Sequence, residues 1–180
     1  NVRIDDIKTE KYCTYCGVFR RDLLNKAAQK LGATKIAVGH NLDDEAQSVM
    51  MNFFKANLGL AARLGPVTGV IKDKRLVPRV KPLYFCYEKE VAAYAFLKNF
   101  GVRFSECPYS GVSFRAAVRD FINSLEQEQP GTKQNIVENF LRLLPKLKKR
   151  YAAAASISHC SNCGEPSSSG LCKACSYVNS

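Results

Sequence analysis

Six of the eight cysteines in this chain fall into three Cys-x-x-Cys pairs: Cys13/Cys16, Cys160/Cys163 and Cys172/Cys175. A two-residue gap lets both sulfurs of a pair reach one metal ion from a single tight turn. Disulfide frameworks belong mostly to small, core-poor secreted chains. Here 180 residues with 46% hydrophobic content can build a conventional core, which rules out wholesale disorder. The pairs are therefore read as metal thiolates in a reducing, cytoplasmic compartment. The length fits one ordinary domain plus an appendage. No apolar run of about 18 residues exists, so no membrane-spanning helix is expected. The first residue is Asn1, with neither an initiator Met nor an apolar leader after it, which reads as a piece of a longer protein or a processed product.

The last four cysteines form Cys160-x2-Cys163-x8-Cys172-x2-Cys175, two short knuckles that suit tetrahedral Zn²⁺. The segment between them, GEPSSSGL, is turn-rich and cannot form a core, so the metal itself would supply folding energy. Four protein ligands leave no open position for a substrate, so the module reads as a structural zinc ribbon, with a redox pair of disulfides as the rival. His159 could replace one ligand, but four thiolates make that unnecessary.

Cys13 and Cys16 are expected just before a helix whose apolar positions run from Phe19 to Leu31 and which Gly32 stops. A helix N-terminus favours thiolate. Two ligands from one turn need a third from elsewhere, and Cys107, in a Ser-Glu-Cys-Pro-Tyr loop, is the better candidate. Cys86, beside Leu83, Tyr84 and Phe85, reads as a core residue. Three thiolates with one open site suit a [4Fe–4S] cluster. A structural zinc site and a Cys16–Cys107 persulfide relay stay open beside it.

Between these cysteines, Thr34–Val38 reads as a short buried parallel strand, followed by the turn GHNLDDEA (Gly39–Ala46) and a helix whose face carries Ala46, Val49, Met50, Phe53 and Phe54. This alternation points to an α/β fold with a parallel sheet. A loop with a hairpin or an edge strand is expected at Arg75–Val80. Helices are expected at Glu88–Phe100 (Val91, Tyr94, Ala95 and Leu97 inward), near Ser113–Glu128, and at Gln134–Ala155. A domain boundary is read near 156, ahead of the ribbon (156–180), and the resemblance set out below implies a second near 110, between a catalytic portion (1–110) and a helical extension (111–155). In the GHNLDDEA turn, Gly39 would let a ligand approach the backbone. One acid there would only cap the helix. Asp43, Asp44 and Glu45 together with His40 exceed that need and could hold Mg²⁺ on a nucleotide's phosphates.

Four ordered motifs, CxxC-G-V-x-R-R, GHNLDDEA, a Cys-Pro-Tyr loop and a terminal CxxC–CxxC, make the chain resemble the archaeal and eukaryotic cytosolic tRNA 2-thiouridine synthetases. These form the TtuA/NcsA group of the PP-loop ATPase superfamily, related to TtcA. The resemblance runs over essentially the whole chain. It implies a partial PP-loop parallel-sheet domain with a helical extension and a zinc ribbon. It implies adenylation of a tRNA uridine carbonyl with ATP, then displacement of AMP by sulfur to give 2-thiouridine. It assigns Cys13, Cys16 and Cys107 to an oxygen-sensitive [4Fe–4S] cluster. Gly39 and His40 are placed at ATP, and Asp44 near both cluster and nucleotide. Arg20, where relatives often carry Lys, would still neutralise phosphates, as a planar fork rather than a point charge. The turn and the QSVMMNF that follows it are closer to wobble-uridine relatives than to T-loop ones. Free sulfide or a ubiquitin-like carrier would donate sulfur, and relatives are commonly dimeric.

One family feature is missing: the pyrophosphate loop Ser-Gly-Gly-x-Asp-Ser does not occur, and the SGVS at 110–113 follows the third cysteine instead of opening the fold. The chain is expected to be the C-terminal part of a longer enzyme and to be inactive alone. The charge fits an RNA partner: 27 Lys+Arg against 16 Asp+Glu give +11, falling to roughly +8 once thiolates carry Zn²⁺ and a cluster. Arg142, Lys146, Lys148, Lys149 and Arg150 form the densest basic cluster, and Arg115 and Arg119 share one helix face. Both groups are candidates for tRNA phosphates. The competing class is a non-catalytic, zinc-stabilised nucleic-acid-binding or adaptor module.

Overall fold

The computed structural model describes residues 12–70, 73–102, 107–109, 113–153 and 158–178. Ser105, Glu106, the SGVS segment up to Gly111-Val112, and the linker near 156 lie outside them. The described chain is helix-rich, with seven helices and two small two-stranded sheets. It divides into two compact units. One comprises 1–36, 71–78 and 152–180, the other 37–70 and 79–151.

In the second unit, helix α2 (Leu42–Phe54) opens on a full capping box. Asn41 Oδ1 accepts from the Asp44 amide at 3.0 Å, and Asp44 Oδ2 accepts from the Asn41 amide at 3.2 Å. Two orphan helix donors are thereby satisfied by local sequence alone. Leu42, Ala46 and Val49 recur at helical spacing and are buried. They meet α6 (Thr132–Ala153) through Val137, Phe140 and Leu144. The short helix α3 (Leu58–Ala61) and Tyr84 close this core. Helix α5 (Phe114–Glu128), capped by Ser113, packs on α2 and buries Val118 and Ile122, four residues apart. Helix-on-helix packing along these 3.6-period stripes builds the core.

The parallel sheet is small. Strand β1 (Ile36–Ala37) pairs with β2 (Arg79–Val80). The amides of Ile36 and Val38 donate to the Pro78 and Val80 carbonyls, both at 2.9 Å. The edge strand expected at Arg75–Val80 thus contracts to its last two residues, because Pro78 cannot donate to a ladder. Helix α4 (Glu88–Leu97) also departs from expectation: none of its residues is buried, and Tyr94 and Leu97 are 57% and 80% exposed. An apolar stripe of this kind normally lies on a sheet, and two strands of two residues offer too little surface to receive it.

In the first unit, α1 (Tyr12–Lys30) begins seven residues before the expected Phe19. Cys13 and Cys16 therefore stand in its first turns, not ahead of it. Leu23 and Leu31, expected on its apolar face, are exposed; only Ala28 is buried. The ribbon is an antiparallel pair, β3 (Ser158–His159) with β4 (Pro166–Ser167), followed by α7 (Lys173–Val178).

Candidate functional site

The ribbon's four sulfurs converge. Cys160 to Cys163 form the tight turn after β3, with the Gly164 amide donating to the Cys160 carbonyl and the Cys160 amide to the Glu165 carbonyl, each at 2.8 Å. Gly164 adopts φ +71°, the left-handed conformation that ends such a turn. Cys172 precedes α7 and Cys175 lies within it. The four Sγ atoms lie within 4.8 Å of one another. A tetrahedron with bonds of about 2.3 Å has edges of about 3.8 Å, and Cys163 Sγ and Cys172 Sγ are 3.7 Å apart. The donor set and spacing therefore fit a tetrahedral thiophilic ion. Backbone donors of Cys172 and Cys163 hold the Cys160 thiol down at about 6. Burial raises Cys163, and the hydrogen bond to Cys163, joined by burial, pushes Cys175 up to about 12. Four sulfurs this close cannot all ionise without a counter-charge, which a divalent cation provides.

Cys13 is exposed and Cys16 half-buried, three residues apart in the first turns of α1. Cys107 is exposed in the other unit, and Cys86 is half-buried rather than a core residue. Thiols three residues apart on one helical turn are of the donor type that iron–sulfur clusters take. Arg20 is exposed one turn beyond Cys16.

Each acid of the GHNLDDEA turn already faces a cation. Asp43 is buried against Lys133, and its other oxygen accepts from the Glu88 amide at 2.7 Å. Glu45 is buried with Lys81, Oε1 to Nζ 2.5 Å. Burial raises the Glu45 carboxyl, and Lys81 opposes that rise. Asp44, the more accessible, pairs with Arg115 at 3.1 Å. Arg115 also donates to Ser48 Oγ at 2.8 Å. These contacts tie α2 to α4, α6, α5 and the residue after β2, a structural use the sequence did not reveal because every partner lies at least 36 residues away. Gly39 and His40 are exposed where β1 ends, and a Cβ on Gly39 would meet nothing within 4 Å. The strand end is thus open to a ligand on that side.

On α6, Arg142, Lys146, Lys149 and Arg150 are exposed at spacings of three and four, forming one basic stripe. Lys148 stands on the packed side, one turn after buried Leu144, and its ammonium donates to the Val67 carbonyl at 3.2 Å. Burial, with Lys81 nearby, lowers its pKa. Arg119 pairs with Asp120 at 3.0 Å.

No family model matches the chain. Among proteins of known sequence, the "tRNA 2-thiolation protein NcsA" of Haloferax volcanii is 36% identical over 191 residues, covering 99% of this chain and 60% of that protein. The "Cytoplasmic tRNA 2-thiolation protein 1" of Xenopus laevis is 36% identical, covering 96% and 49%. Among solved structures, the "U34-tRNA thiolase NcsA from Methanococcus maripaludis with its [4Fe-4S] cluster" aligns with TM-score 0.78 and 38% identity over 97% of this chain and 55% of that one. Over nearly its whole length the chain is thus homologous to NcsA-type tRNA 2-thiolation proteins. It spans about half to 60% of the length of the relatives it matches. A "Probable sulfurtransferase" of Methanocaldococcus jannaschii is likewise 36% identical over 99% of this chain. Among the described residues no helix is long and apolar enough to cross a membrane.

Proposed function

We propose that the chain forms the sulfur-transfer and RNA-binding portion of a cytoplasmic tRNA 2-thiouridine synthetase. The observation that carries this reading is the likeness, over 97% of the chain, to a U34-tRNA thiolase bearing a [4Fe–4S] cluster. That relative's position 34 is the wobble base, which supports a wobble uridine over a T-loop one. In the proposed reaction the uridine O2 attacks the α-phosphorus of ATP and pyrophosphate leaves. Sulfide then attacks C2 and AMP departs with the original oxygen, so no net redox change occurs. Cys13, Cys16 and Cys107 would hold the cluster, which when bound supplies an iron position able to carry sulfide. Cys160, Cys163, Cys172 and Cys175 would hold Zn²⁺ structurally.

This chain's own residues supply the rest. Gly39 and His40, exposed at the carboxyl end of β1, lie where α/β folds receive nucleotides. Asp44, the most accessible acid of the turn, would act at Mg²⁺ or at a proton by exchanging its contact with Arg115, whereas Asp43 and Glu45 are buried in their ion pairs. Arg20 would face the phosphates. Arg142, Lys146, Lys149 and Arg150 would track the tRNA backbone. Sulfide or a ubiquitin-like carrier would donate sulfur, and the protein would act as a homodimer.

The test is anaerobic preparation of the complete protein, with iron, acid-labile sulfide and zinc analysis and mass spectrometry of nucleosides from incubated tRNA. The reading expects iron and sulfide near four each and zinc near one per chain. It expects C13A, C16A and C107A each to lose the brown colour and the 2-thiouridine product. Zinc at both cysteine sites with no visible absorption band would replace it with the non-catalytic nucleic-acid-binding module.

A further inference from the structure

Tyr15 lies between the two cysteines of the first pair, and its ring stacks on Tyr177 of α7, with centroids 4.1 Å apart and planes 25° from parallel. Phe19, one helical turn on, meets the same Tyr177 ring edge-on at 6.4 Å. Val18 and Phe19 pack against the cluster formed by Cys160, Cys172, Ala174 and Cys175. Two turns further along α1, Asn25 and Gln29 donate to the Glu165 carboxylate at 2.8 and 3.2 Å. Both also donate to the Arg75 carbonyl, and Arg75 Nη1 donates to the Gly164 carbonyl at 2.7 Å. Helix α1 is thus held by the ribbon along most of its length, beginning inside the Cys13–Cys16 turn. The ribbon buries little apolar material except its own cysteines and Ala174. Its shape, and with it the surface that grips α1, therefore depends on the metal.

We propose that the four-cysteine ribbon is the positioning element of the Cys13/Cys16 pair, transmitting metal occupancy to that pair through the Tyr15–Tyr177 stack. Tyr15 and Tyr177 are positioning residues: neither ligates, and each fixes the turn that does. The proposal rests on the reading that Cys13 and Cys16 are working ligands. An independent RNA-binding knuckle would have no need to commit its cysteine face and its last helix to α1.

The experiment uses iron-free, zinc-loaded protein and follows alkylation of each cysteine by N-ethylmaleimide with peptide mass spectrometry. Cys86, half-buried in the other unit, is the internal control. Tyr15→Ala and Tyr177→Ala should each raise the Cys16 rate by about two- to tenfold, the range an aromatic pair's strength sets. Zinc should stay near one per chain and Cys86 should not change. Tyr15→Phe should alkylate at the wild-type rate, because the stack needs the ring. Zinc chelation of the wild type should raise the Cys16 rate at least about tenfold. A Cys16 rate unmoved in Tyr15→Ala, or unmoved when zinc is removed, overturns the proposal. Should Tyr177→Ala lose its zinc, Tyr15→Ala, remote in sequence from the four ribbon cysteines, decides alone. A parallel cluster reconstitution that yields no iron or sulfide in the wild type would sink the cluster reading while leaving the alkylation result to judge the coupling.

Discussion

Replacing Lys81 by Met should destabilise the protein strongly at neutral pH and much less in mild acid. Lys81 and Glu45 side chains are 5% and 2% exposed, with Nζ 2.5 Å from Oε1. At an effective dielectric near 20, two unit charges about 4 Å apart attract by roughly 4 kcal/mol. Desolvating them costs several kcal/mol per ion, so the intact pair nets close to zero. Removing one partner is different: the other stays buried without compensation, a loss of about 3–5 kcal/mol. In K81M the survivor is Glu45, whose carboxyl burial already raises and whose main opposing influence is then gone. With its folded pKa above the unfolded value, the native state binds more protons than the unfolded chain, and stability falls as pH rises through that folded pKa. The deficit should therefore shrink between pH 7 and 5, with a slope of up to about 1.4 kcal/mol per pH unit. The assay is urea unfolding of the zinc-loaded protein at both pH values, with E45L and the K81M/E45L double variant completing the cycle. The double variant should recover most of the loss. A K81M loss under about 1 kcal/mol, or one that grows on acidification, refutes the reasoning.

Two further outcomes follow from the site geometry. Replacing Arg142, Lys146, Lys149 and Arg150 together by Ala should flatten the salt dependence of tRNA binding by close to one logarithmic slope unit for each phosphate these side chains cover, whereas K148A should leave the slope unchanged; titrations at several salt concentrations check both. Gly164→Ala should cost roughly 1–3 kcal/mol and loosen zinc, because a Cβ would lie 2.3 Å from Arg75 Nη1 and φ is +71°, which thermal unfolding with zinc analysis would register.

What the sequence disclosed was whatever rests on local chemistry. The two knuckles were legible because the ligand spacing is itself the geometry, and the structure brings those four sulfurs together. Helices α5 and α6 were legible from period and from Pro130-Gly131 between them. The start of α1 was not: a Tyr-Cys-Thr-Tyr-Cys run has no helical stripe of its own, and the turn is held by packing on Tyr177 and the ribbon. Nor were the exposed faces of α4 and α1, where Leu97 and Leu23 have helical period but no described surface to bury them. Lys148 looked like one more member of a basic run. Its register relative to Leu144, which decides the side it faces, is a property of the packed helix.

The GHNLDDEA turn shows how far local chemistry carries and where geometry overrules it. Three consecutive acids invite the reading of a shared cation. On a helix, however, neighbours in sequence point about 100° apart and do not face each other. Asp43, Asp44 and Glu45 occupy the first turn of α2 and accordingly meet Lys133, Arg115 and Lys81, which come from three separate elements or element ends. The cluster's charge is consumed in fixing the packing around the end of β1. A Mg²⁺ held at this strand end would therefore take one carboxylate from the turn, that of Asp44, and only by drawing it away from Arg115. Under the proposed function, metal binding would compete with the Asp44–Arg115 pair for that carboxylate, and R115A would free Asp44 while removing the Arg115 contacts that tie α5 to α2.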